Sequence, residues 1–118
     1  MAYFIDLPTM SDERGDLTVV ENILPFDIKR VYYIYYMQGQ RGGHKHKKTI
    51  QALIPLNGKY IITVCNNGEE IAYNLDSPAQ CLILEPSDWH TMKGFKKDSI
   101  LLVLSSQNFD PTDYIYDK

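Results

Sequence analysis

Short runs of β-branched and aromatic residues, each closed by glycine, proline, asparagine or aspartate, recur along the chain. Val31–Tyr36 is apolar or aromatic throughout and precedes Gly39 and Gly42-Gly43, which predicts a strand running into a turn. Ile50–Leu56 is followed by Asn57-Gly58, residues that tolerate positive φ, so a tight hairpin returning along Tyr60–Cys65 is expected. Asn66-Asn67-Gly68 then predicts a second hairpin into Glu69–Leu75. Asp76-Ser77-Pro78 breaks the pattern, Cys81–Leu84 resumes it, and Glu85-Pro86-Ser87-Asp88 breaks it again before Trp89. Ser99–Ser105 contains Ile-Leu-Leu-Val-Leu, the composition of a strand covered on both faces. Asp110–Asp113 reads as a turn or one helical turn, and Asp113–Tyr116 as a short tail. Many short strands with turns every 8–12 residues or so imply an all-β sandwich or barrel.

Composition narrows the class. The 118 residues are enough for one domain, taken as residues 1–118, and 44% apolar with 23% charged residues describes a chain able to bury a core. A net charge of −3 argues against a general nucleic-acid binder, which would be strongly basic. Cys65 and Cys81 show neither CxxC spacing nor the density of a disulfide scaffold, so reduced thiols are expected. The N-terminal residues lack a basic segment followed by an apolar stretch, and the longest apolar run, Val31–Met37, is far shorter than the ~20 residues of a membrane helix. A soluble, cytoplasmic protein without membrane or nucleic-acid partners is the expectation.

The sharpest chemical feature is Arg41-Gly-Gly-His44-Lys-His46-Lys-Lys48. Residues two apart on a strand share a face, so His44 and His46 converge on one cavity if the segment is extended. Convergent imidazoles serve acid–base chemistry or metal binding; the competing reading is a solvated polar turn. With Gln51 and Gly58 after it, the segment resembles the first motif of the cupins, and Pro86 with His90 resembles the second at a spacing one residue short. The resemblance implies a small jelly-roll barrel, a double-stranded β-helix. Metal-binding cupins keep a glutamate where this chain has Gln51, a poor ligand for a divalent cation, and no metal or cofactor is expected. A zinc or iron site on His44, His46 and His90 is the open alternative.

A narrower resemblance covers nearly the whole chain. Pro25-Phe-Asp-Ile-Lys-Arg30-Val-Tyr-Tyr-Ile34, Arg41-Gly-Gly-His-Lys-His-Lys47, Trp89-His-Thr-Met92, Leu101-Leu-Val-Leu-Ser-Ser106 and Asp113-Tyr-Ile115 occur in the order seen in the WxcM-like sugar 3,4-ketoisomerases, which the chain resembles. The resemblance implies an isomerase that moves the ketone of thymidine-diphosphate-linked 4-keto-6-deoxyglucose from C4 to C3 in deoxyaminosugar biosynthesis. It also implies a metal-free homodimer with exchanged N-terminal strands. By position, His44 resembles the base and Tyr32 the residue passing a proton between the two oxygens, while His46 assists His44. Tyr32 alone would read as a core aromatic, since Tyr33, Tyr35 and Tyr36 share its strand. Arg30 and Arg41 suit the diphosphate, with solvation the rival for Arg41. Lys45, Lys47 and Lys48 read as a solvated face. Trp89 either covers the sugar or fills the barrel mouth. Arg14 and His90 occupy positions that in the family differ between enzymes making the galacto and gluco products, and the pair resembles the galacto type. The Met37–Gln40 loop is short for the family, and Gly43 stands where a larger residue is usual. Alternatives are a cupin 3,5-epimerase of the same sugar nucleotide, a non-catalytic sugar-binding cupin and a metal-dependent oxygenase.

Overall fold

Residues 1–118 are described by a computed structural model. The β-rich runs form twelve strands: β1 (Tyr3–Asp6), β2 (Thr9–Asp12), β3 (Gly15–Thr18), β4 (Arg30–Tyr35), β5 (Gln40–His46), β6 (Gln51–Asn57), β7 (Tyr60–Asn66), β8 (Glu69–Leu75), β9 (Gln80–Leu84), β10 (Trp89–Gly94), β11 (Ile100–Ser105) and β12 (Tyr114–Ile115). A 3₁₀ turn, Pro111–Asp113, precedes β12; Pro111 occupies its first position and the Asp110 carboxylate caps it by accepting from the Thr112 amide. No helix is long and apolar enough to cross a membrane.

Ten strands build two five-stranded sheets, β1-β9-β6-β11-β4 and β12-β5-β10-β7-β8, all of whose neighbours are antiparallel. Sequence neighbours repeatedly lie in opposite sheets, which gives an all-β jelly roll of the cupin type. Between the sheets lies the first core, with Leu53, Tyr60, Ile62, Val64, Leu75, Leu82, Leu101 and Val103 all fully buried. Each such aliphatic side chain contributes about 1.5–3 kcal/mol by leaving water. Strand β11 is covered on both faces, as its composition predicts. Leu101 and Val103 point into this core, and Leu104 joins Ala52, Ile54, Cys81 and Ile83 in a second one. The segment from Val20 to Phe26 lies over that outer face through Val20, Ile23, Leu24 and Phe26.

Two expected turns are corrected. Asn57-Gly58 does not close a hairpin, because β6 and β7 belong to different sheets and the chain crosses between them there. Gly58 is still required: its φ is +78°, and a Cβ would collide with Ser99. Gly42-Gly43 is not a turn either but lies within β5. The Asn67-Gly68 turn does form the predicted hairpin, with positive φ at both residues and Asn66 paired with Glu69. β2 and β3 form a separate two-stranded ribbon paired with neither sheet.

Candidate active site

One end of the barrel is filled by polar side chains. β4 alternates inward and outward, so Arg30, Tyr32 and Ile34 face the interior while Val31, Tyr33 and Tyr35 remain exposed. This settles which tyrosine of the run points inward. On β6, Gln51 is buried, and its side-chain amide donates to the Tyr32 hydroxyl at 3.1 Å. β5 and β10 are neighbours with His44 opposite His90. Together they border a cavity of about 630 Å³ lined by Arg30, Tyr32, Arg41, His44, His90 and Tyr114 among others.

The glycines of β5 explain how Arg41 and His44 come to line the same cavity. Three residues apart on a regular strand, they would face opposite sides. Between His90 and Thr91 the register slips, so that His90 pairs with His44 but Thr91 with Gly42, leaving Gly43 as the extra residue of a bulge. Gly42 and Gly43 have φ of +91° and +82°, and a Cβ on Gly42 would sit 2.7 Å from the His90 carbonyl oxygen. The bulge therefore turns both the guanidinium and the imidazole inward.

All three histidines of the chain meet here. The His44 ring lies 4.9 Å from His90 and 5.1 Å from His46, centroid to centroid, and Tyr114 packs 4.6 Å from both His44 and His46. His44 borders the open cavity, whereas His46 lies behind it against a void of about 10 Å³. Nδ1 of His46 is 2.9 Å from the buried Asp113 carboxylate, and its Nε2 is buried without a hydrogen-bond partner. An orphaned buried nitrogen costs about 1–3 kcal/mol, which suits a site that keeps it for chemistry. His90 Nδ1 lies 3.1 Å from the Asp88 carbonyl.

Burial sets the protonation states. It pulls His44 below the ordinary range, aided by His46 and opposed by a bond to the Gly42 backbone. His46 is also lowered, by burial first, although Asp113 pulls it the other way. Neutral imidazoles able to accept a proton result. Burial, with Tyr114 beside it, raises the Tyr32 phenol, while Arg30 and Gln51 resist the rise. The phenol therefore keeps its proton near neutrality and can donate it. Arg30 lies 4.5 Å above the Tyr32 ring, a cation–π contact.

Two expected site residues lie elsewhere. Trp89 does not line the cavity: next to His90 on β10 it faces outward, its indole N–H donating to the Tyr116 carbonyl at 3.0 Å and Lys118 resting 4.7 Å over its ring. It fastens the C-terminal segment instead. Arg14 is 85% exposed at the turn of the β2–β3 ribbon and bound to Asp12, away from the cavity of its own chain. Conversely, the Asp113-Tyr-Ile115 segment enters the sequence reading only through the family resemblance, with no role for Asp113 or Tyr114, and nothing in the sequence shows the buttressing role of Gln51. Asp113-Tyr114 sits in a tail whose two-residue strand has no periodicity to read. No group of three or more His, Cys, Asp and Glu side chains is placed to hold a metal ion; Nδ1 of His46 and of His90 face Asp113 and a carbonyl, and Gln51 is engaged with Tyr32.

Known proteins resemble the chain in sequence and in fold. Residues 2–118 match the model of the FdtA family, described as WxcM-like, C-terminal. The chain belongs to this family. It is 41% identical over 115 residues to the TDP-4-oxo-6-deoxy-alpha-D-glucose-3,4-oxoisomerase of Aneurinibacillus thermoaerophilus, covering 94% of this chain and 83% of that one. The crystal structure of the sugar 3,4-ketoisomerase QdtA from Thermoanaerobacterium thermosaccharolyticum with TDP superposes with a TM-score of 0.94 at 41% identity, over 98% of this chain and 88% of that one. A double variant of QdtA with TDP, in which a tyrosine is replaced by arginine and an arginine by histidine, gives 0.94 at 42% identity over 98% and 87%. As a WxcM-like family member, the chain is an isomerase.

Proposed function

We propose that the protein is one cupin domain, residues 1–118, that converts TDP-4-keto-6-deoxyglucose to a TDP-3-keto-6-deoxyhexose in the cytoplasm. The observation carrying this reading is that His44, His90 and Tyr32 line one cavity, with His46 packed directly behind His44. Moving a ketone to the neighbouring carbon needs a base for a C–H proton and an acid for the carbonyl oxygen. His44, neutral and at the cavity wall, takes the proton from C3 while Tyr32 donates to the C4 oxygen, giving an enediol. The phenolate then takes the proton of the C3 hydroxyl, and the imidazolium returns its proton to C4. His46 assists His44 from behind. No atom is gained or lost. Arg30 and Arg41 supply the positive charge that a diphosphate requires.

Two finer assignments rest on this reading. The galacto product is favoured because Arg14 and His90 resemble the pair of the galacto-type enzymes of the family, and His90 borders the face of the cavity opposite Tyr32's strand. The homodimer exchanges its N-terminal β2–β3 ribbon, which brings Arg14 to the cavity of the partner subunit. The product serves a deoxyaminosugar pathway for O-antigen or S-layer glycans.

The test is incubation with TDP-4-keto-6-deoxyglucose in deuterated water, followed by NMR of the product. A ketone at C3 with label at C4 is expected, and His44→Asn should abolish turnover while retaining binding. A product that keeps its C4 ketone and carries label at C3 or C5 would make the protein an epimerase.

A further inference from the structure

Asp113 holds more of the site together than any residue named so far. It is buried, and its two carboxylate oxygens collect four donors. Oδ1 accepts from the amides of Lys47 at 3.1 Å and Lys48 at 2.9 Å, and Oδ2 accepts from the Thr49 hydroxyl and faces His46 Nδ1 at 2.9 Å. Burial pushes its carboxyl up, but the bonds from Thr49, the Lys48 amide and His46 outweigh it and keep it below the usual range. An ionised carboxylate has no proton to give, so the proton between it and the ring belongs to His46 Nδ1. The other ring nitrogen, Nε2, is then the bare one, and it is the nitrogen left without a partner.

We infer that Asp113 is a positioning residue that locks His46 in the Nδ1–H tautomer, so that Nε2 is the proton-accepting end of the imidazole pair. The inference rests on the isomerase reading above for its catalytic consequence, but the tautomer itself does not depend on substrate. His46 stands edge-on to His44, with an interplanar angle of 87°. A proton that His44 has taken from the substrate can be passed to Nε2, which leaves His44 neutral and His46 an imidazolium whose charge is met by the Asp113 carboxylate. Thr49 and the two backbone amides hold that carboxylate so that it cannot rotate away. In a tail with one helical turn and a two-residue strand, such anchoring has a clear physical use: the same bonds that fix the ring also tie β12 to β5 beside it.

The deciding variant is Asp113→Asn. Its single carbonyl oxygen must serve the two backbone amides, which leaves the amide NH₂ facing His46. The ring then has to accept at Nδ1 and carry its proton on Nε2, and the acceptor is lost. We expect kcat for ketoisomerisation to fall about 10³-fold or more, with KM changed less than about threefold. Nitrogen-15 NMR of the histidine rings, assigned with His44→Asn and His90→Asn, should show the tautomer of His46 reversed. A loss of stability alone would lower the melting temperature without reversing the tautomer. If the variant does not fold, the unmodified protein still decides: an Nε2–H tautomer of His46 there overturns the proposal. So does an Asp113→Asn enzyme that folds and keeps its kcat. An unmodified protein that shows the Nδ1–H form yet does not convert TDP-4-keto-6-deoxyglucose removes the proposed reaction and leaves the tautomer assignment standing.

Discussion

His90 is 1% exposed, and burial above all pulls its imidazole down to about 4, with His44 and His46 adding to the fall and the Asp88 carbonyl opposing it. In the unfolded chain the same ring takes a proton near 6.5. Between those two values the unfolded state binds a proton that the folded state does not, so stability declines as pH falls from above 6.5 to about 4. The full decline from His90 is roughly 3 kcal/mol. His44 and His46 are shifted the same way and steepen the same limb. Chemical denaturation at about pH 7.5 and about pH 5 should therefore show a clear loss of stability at the lower value, and His90→Gln should flatten the slope. An unchanged slope in the variant would mean that the native fold admits a protonated His90. The catalytic proposal needs the opposite, since a cavity that holds its imidazoles neutral keeps them able to take a proton.

Strand β5 carries the site because it is irregular. The Gly42→Ala exchange should destabilise the protein by roughly 2 kcal/mol or more, since it combines a strained positive φ with a Cβ against the His90 carbonyl. It should also lower turnover sharply, because restoring a regular strand returns Arg41 and His44 to opposite faces. Gly43→Ala is the control. Its Cβ would meet nothing closer than the Trp89 ring at 3.9 Å, so only the backbone strain of about 1 kcal/mol remains. Thermal melts and kcat of the two variants read the difference, and equal effects would dismiss the bulge as the reason for the glycines. The bulge also marks where sequence reading stops. Period-two alternation was enough to place His44 beside His46, and turn chemistry was enough to find the Asn67-Gly68 hairpin. Neither reveals that Gly42-Gly43 bends a strand, because a glycine pair in a turn and in a bulge is the same pair of letters. Asn57-Gly58 misleads for a related reason: Gly58 does take a positive φ, but which sheet the next strand joins is decided by the core. Trp89 and His90 show the same limit, as only the pairing of β10 determines which of two adjacent side chains faces the cavity. Asp113 stands in a segment that resembles the family, but its role is not legible there because it depends on partners more than sixty positions away.

For the molecule as a whole, the unexplained feature is the β2–β3 ribbon. It joins neither sheet, and its paired residues Met10 and Leu17 are 56% and 58% exposed. A two-stranded ribbon is at best marginally stable in water by itself, so two apolar side chains opposite each other call for a surface to cover them. The proposed exchange of this ribbon between subunits would supply one. The same exchange would carry Arg14, which does not line its own cavity, toward the partner's. Mixed dimers test this directly. Arg14→Ala and His44→Asn should each be impaired as homodimers. In a mixed dimer, the subunit that keeps His44 receives the ribbon that keeps Arg14, so one cavity of the pair is complete and activity returns. If Arg14 served its own chain, every cavity in the mixture would lack one group or the other, and mixing would restore nothing. A protein that sediments as a monomer would remove the exchange outright.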